Sequence, residues 1–207
     1  MTGSSPALRP VRTGQGAHVH TAADRRLAAE HWLLSAHPMP RQGRGEWAEH
    51  RVTLLPLGTL FSAVRLPGRL VHMVADSTGP EDIDAVLDEV LDGGPVICDP
   101  HGPRYYALVP ARMPRTWAQA ADDWRGAGVE CLGRGTYLGV PRLDAVEPTT
   151  GTAPYWSVPM SSAGILCAPL AVARLIAAGM HQLSEDRDPW PADPPLIRPR
   201  LVSRSER

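Results

Sequence analysis

The chain has 207 residues, with 22 acidic and 21 basic side chains giving a net charge of -1, and it is 43% hydrophobic and 21% charged. That length holds one core or slightly more, and that composition excludes a wholly disordered chain, a coiled coil and a collagen-like repeat. With charge so nearly balanced, nothing global draws the chain to nucleic acid or to an anionic membrane, and any such binding has to be local.

Residues 1 to 20 lack periodicity and carry Gly, Ser and Pro, so composition predicts a disordered N-terminal segment. Thr21 followed by Asp24 opens a helix whose apolar face runs through Leu27, Ala28, Trp32 and Leu34 to about Ser35. Residues 37 to 45 read as a turn region. Residues 52 to 57 read as a buried strand and 61 to 66 as a second, with Gly58 between them. A short helix is expected at 68 to 75 and a well-signalled one from Pro80, with Ile83, Val86, Leu87, Val90 and Leu91 at helical spacing and Gly93 and Gly94 to stop it. Strands at 95 to 98 and 104 to 109 flank a turn built on Asp99, Pro100, His101, Gly102 and Pro103. Residues 110 to 128 read as irregular, and 129 to 132, 136 to 140 and 155 to 158 as further strands. A last helix spans 169 to 178 and ends at Gly179, after which the Pro-rich residues 180 to 207 read as a disordered tail. The expected fold is therefore α+β: a mixed or mostly antiparallel sheet with helices packed on one face, forming a single domain over 21 to 179.

Every basic residue is Arg, Lys and Asn are absent, and Phe61 is the one Phe. The missing residues have A/T-rich codons, the pattern of a gene from a high-GC bacterium, so Arg enrichment here is partly a codon effect. Cys98, Cys131 and Cys167 are odd in number and form no C-x-x-C pair, which predicts reduced cytosolic thiols. The first twenty residues hold no apolar run of seven and no later stretch approaches 18. Neither export nor a membrane span is expected, and the location predicted is cytoplasmic.

One constellation points to a known chemistry. Glu130, Gly133, Gly135, Tyr137, Gly139 and Pro141 form an acid, a Gly-rich pair of strands and a closing Pro; the strand from Phe61 to Pro67 and the run Gly102, Pro103, Arg104, Tyr105, Tyr106 precede them. Together, over about 46 to 160, they resemble the bifunctional primase-polymerase N-terminal domain of the archaeo-eukaryotic primase superfamily. The resemblance implies a strand ending in two metal-binding acids, a second motif with a nucleotide-contacting His, and a third acid. Glu130 stands in the place of the third acid, but Ala63 and Arg65 stand where the two carboxylates are expected and Tyr105 where the His is expected.

Two-metal nucleotidyl transfer needs carboxylates that hold two cations about 3.5 to 4 Å apart. Ala63 offers no ligand and Arg65 puts a fixed positive charge where a cation would sit. The expectation is a catalytically degenerate primase-polymerase-like domain, with no cofactor and no metal, serving as a nucleic-acid or nucleotide binding or regulatory module in a DNA-processing or mobile-element setting. Its binding candidates are Arg65, Arg104, Tyr105, Glu130 and Arg134. The rivals are an active nucleotidyl transferase whose acids come from elsewhere, such as Asp99 or Glu130, and a protein-interaction module without nucleic acid.

Other features weigh less. Cys98 and His101 could ligate metal, but a zinc site wants four ligands and no second close pair exists. Asp99 with His101 lacks an accompanying nucleophile motif and reads as a surface turn. His18 and His20 fall in the N-terminal segment. Neither a P-loop nor a G-x-G-x-x-G is present. Tyr105, Tyr106, Tyr137, Tyr155 and Trp156 could form a base-stacking platform if one sheet face carries them all, and core aromatics if not.

Overall fold

The computed structural model describes residues 21–148 and 153–187. α1 (Ala22–Leu34) begins where the sequence places it, because the Thr21 hydroxyl accepts the Asp24 N–H while the Asp24 carboxylate accepts the Thr21 N–H. α2 (Pro40–His50) takes up part of the region read as a turn. Its two glycines and many charges hide it, and tertiary contacts make it: Trp47 is buried, its indole N–H donating to the Val140 carbonyl at 2.9 Å. Gly43 adds to this, since a Cβ there would stand 3.0 Å from Leu34 Cδ2 on α1.

The strands fall close to their expected limits: β1 (Val52–Pro56), β2 (Phe61–Pro67), β3 (Val96–Asp99), β4 (Arg104–Pro110), β5 (Glu130–Leu132), β6 (Tyr137–Pro141) and β7 (Tyr155–Val158). α3 (Gly68–Ala75) and α4 (Pro80–Val90) follow β2 as expected. The stretch read as irregular holds α5 (Met113–Thr116), α6 (Ala118–Trp124) and a 3-10 turn at Arg125–Ala127, anchored by buried Met113 and Trp124. Segments this short leave no room for a helical period to show.

α7 (Pro169–Arg187) runs past Gly179, so the fold reaches beyond the expected boundary. Gly179 is a packing residue rather than a stop: a Cβ there would lie 2.6 Å from Leu70 Cγ, so the bare Cα lets α7 lie against α3. Leu183, one turn on, still packs on the core. The segments 1–20 and 188–207, read as disordered, lie outside the described residues.

Five strands form one antiparallel sheet in the order β5-β2-β4-β3-β7, and β1 pairs with β6 in a separate antiparallel ribbon. The α+β class therefore holds. The cover does not stay on one face, however. Val64 and Leu66 of β2 point to a back face packed by α3, α4 and α7, whereas Phe61 and Ala63 point to a front face covered by α1, α2 and the ribbon. Strand alternation on a sheet buried on both faces explains why β2 reads as one continuous apolar run. Among the described residues no helix is long and apolar enough to cross a membrane.

Candidate functional site

β2 sits between the edge strand β5 and the central strand β4, so its front-facing positions have a ladder partner on each side. Ala63 lies opposite Leu132 on one side and Leu108 on the other; Arg65 lies opposite Glu130 and Tyr106. Direct partners in a ladder share a face, so Ala63, Arg65 and Glu130 come together on the front. The apolar cover stops between the two β2 positions. Ala63 is fully buried in the front cluster, while the side chains of Arg65 and Glu130 are 30% and 47% exposed and form an ion pair. The Glu130 carboxylate is thus neutralised by the Arg65 guanidinium. Nothing here fits a pair of cations: Ala63 has no donor and no open space, and Arg65 repels a cation. Among the described residues no group of three His, Cys, Asp or Glu side chains could hold a metal ion.

Tyr105 does not join this group. It lies opposite Leu66 and Cys98, hence on the back face, where it is buried and packs edge-on to His72 with ring centroids 6.3 Å apart. Burial pushes its phenol pKa up and that of His72 down. Of the binding candidates, Tyr105 is therefore separated from Arg65 and Glu130 by the sheet itself, since one residue of shift along a strand reverses the face. The same alternation removes the stacking platform. Tyr105 and Tyr155 face back, Tyr106 and Trp156 face front, and Tyr137 belongs to the ribbon.

Asp84 of α4 is the unexpected member of the back face. It accepts the hydroxyls of Ser157 and, at 3.5 Å, Tyr155. Burial pushes its carboxyl up to about 6, and the two hydroxyl donors offset only part of that rise. A folded-state value above the unfolded one means a proton is held more tightly in the fold, so this contribution is complete below about pH 4 and is lost as pH rises through about 6. The cost at pH 7 is about 1–2 kcal/mol once partial exposure is allowed for. Urea midpoints of the parent and Asp84→Asn should diverge between pH 4 and 7, with Asp84→Asn gaining on the parent as pH rises. Parallel curves would refute a buried, high-pKa carboxyl.

The remaining candidates separate along the strands. Arg104 opens β4 opposite Pro67 and Asp99, at the exposed end beyond Arg65. Asp99 accepts the His101 N–H at 3.1 Å, so its carboxylate closes the turn rather than serving an acid-base pair. Cys98, Cys131 and Cys167 are free, and burial pushes Cys98 up to about 11 and Cys167 up to about 12, values too high for a ready nucleophile. The expected Gly-rich strand pair is split, since β5 joins the main sheet and β6 the ribbon. Between them Thr136 turns back to the Gly133 carbonyl through both its N–H, at 3.1 Å, and its hydroxyl, at 2.6 Å, and this turn carries Arg134.

Arg134 lies at the opposite end of β2 from Arg104, in a pocket of about 450 Å³ lined by Gly58, Thr59, Ala111, Arg112, Pro114, Arg115 and Gly133. Arg112 and Arg115 are the residues the sequence reading missed. Their spacing of three was visible, but it fell in a stretch read as irregular and in a chain where every Arg was discounted for codon usage. Neither a family model, a curated protein nor a solved structure matches the chain.

Proposed function

We propose that the chain is a catalytically degenerate primase-polymerase-like domain that works as a nucleic-acid or nucleotide binding module. The observation that carries this reading is the register of β2 against β5, in which Ala63, Arg65 and Glu130 share one face and Arg65 pairs with Glu130. A site arranged for two cations is here filled by a methyl group and an internal ion pair, which favours binding over nucleotidyl transfer. Arginines with no ion pair among the described residues are available for phosphate contact, among them Arg104 and Arg134.

Fluorescence anisotropy with a labelled single-stranded oligonucleotide tests the reading. Each neutralised phosphate on a single strand contributes about 0.7 to the slope of log affinity against log salt, so about three contacts give a shallow slope of magnitude about 2. Arg65→Ala should leave that slope unchanged, because its guanidinium is already taken by Glu130. No detectable binding at low salt would remove the nucleic-acid reading and leave the protein-interaction module in its place.

A further inference from the structure

We infer that the pocket at the start of β2 is a phosphate site, held by Arg112, Arg115 and Arg134, and that its occupant is a backbone phosphate of a single strand. Three separate chain segments build it. Gly58 turns the chain from β1 into β2 with a φ of +88°, its N–H donating to the Phe61 carbonyl at 2.7 Å. A Cβ at Gly58 would stand 2.4 Å from the Arg134 backbone nitrogen, so the two loops touch backbone to backbone. This fixes the root of Arg134 beside Thr59. Arg112 and Arg115 come from the segment that follows β4, and Pro114 between them closes on Gly133, whose Cβ would lie 3.2 Å from Pro114 Cγ.

The charge is what points to an anion. Elsewhere five of the described arginines form ion pairs, Arg26 and Arg142 with Asp144, Arg44 with Glu30, Arg65 with Glu130 and Arg125 with Asp122, while others, such as Arg41 and Arg174, form none among the described residues. Among the described residues no ion pair reaches Arg112, Arg115 or Arg134, and no carboxylate lines their pocket. Codon usage explains why arginines are common but not why three of the unpaired ones share a cavity without an acid. Glu130 and Asp122 line the adjoining cavity, each already bound to its own Arg. Three arginines lining one cavity without a carboxylate offer forked N–H groups that a phosphate can accept. The volume lies within the usual range of small-ligand sites, about 300–1,000 Å³. Four residues of strand separate Phe61, beside the pocket, from Arg65, about 13 Å, so this site is distinct from the Arg65–Glu130 pair.

That the phosphate belongs to a nucleic acid rests on the proposed function; that the pocket takes phosphate does not. The test uses the full chain, the double variant Arg112→Gln/Arg134→Gln, the single variant Arg115→Gln, and Arg174→Gln as a control on α7, with thermal melting and circular dichroism to establish that each is folded. Calorimetric titration with sodium pyrophosphate, against sodium chloride of equal ionic strength, should show binding that weakens at least tenfold in the double variant, weakens in Arg115→Gln and persists in Arg174→Gln. With a labelled oligothymidine, the double variant should also lose affinity, and its salt slope should fall by about 1.4, two contacts' worth. If pyrophosphate behaves as stated but the oligonucleotide does not bind, the phosphate site stands and the strand as its occupant is overturned. If the oligonucleotide binds and none of the pocket variants weakens it or pyrophosphate, the pocket inference is overturned and the nucleic-acid reading survives. Binding of neither probe overturns both.

Discussion

Replacing Ala63 by Asp should cost about 3–5 kcal/mol, the range for an uncompensated charge in a protein interior, and so remove much of the stability of a domain this size. Ala63 is fully buried among the apolar side chains of Phe61, Leu108 and Leu132, none of which can donate to a carboxylate. The position at which the resemblance implies a metal ligand belongs to the apolar front layer. Urea denaturation would measure the loss directly; a midpoint within the range of a surface substitution would mean that the front face has room at residue 63 after all. The same argument predicts that Asp at 63 and 65 together would not rebuild a metal site, because the first substitution undermines the sheet that has to present the second.

Trp47→Ala should lower stability by a similar amount, about 3–5 kcal/mol, as large-to-small changes of buried aromatics do. The side chain is nearly inaccessible, and its loss both opens a cavity and leaves the Val140 carbonyl without its indole donor. α2 would then be held to the ribbon chiefly by the bond from the Thr53 hydroxyl to Glu46. Trp47→Phe keeps the ring volume better and should cost less than half as much. Chemical denaturation of the two variants tests this ordering, and equal losses would indicate that the ring volume contributes nothing beyond the indole hydrogen bond that both variants lose.

These two residues also mark how far the sequence could be read. Ala63 sits in a β-branched and apolar run flanked by Gly58 and Pro67, and period and punctuation located β2 from the chain alone. α2 escaped because its stabilisation comes from elsewhere: Gly43 and Gly45 argue locally against a helix, while the Trp47 bond to Val140 joins residues 93 apart in sequence. α7 escaped in the opposite way, since Gly179 carries a stop signal that close packing on Leu70 overrides. At the site, the residues of one strand pair were legible because register follows from alternation. Tyr105 was placed on the wrong face, since neighbouring Tyr106 carries the same chemistry and only pairing distinguishes them. Arg112 and Arg115 gain meaning only when the turns at Gly58 and Gly133 bring Arg134 to them, and no local pattern encodes that meeting.

The central claim is that this site binds without transferring nucleotides. It is tested most directly by incubating the full chain with a labelled deoxynucleoside triphosphate, magnesium or manganese, and both primed and unprimed single-stranded template, with strand binding followed in the same sample. The account predicts a salt-sensitive complex with the strand and no metal-dependent incorporation. Incorporation above background that disappears in Glu130→Gln would contradict it, and would make Glu130 a working ligand rather than the partner of Arg65.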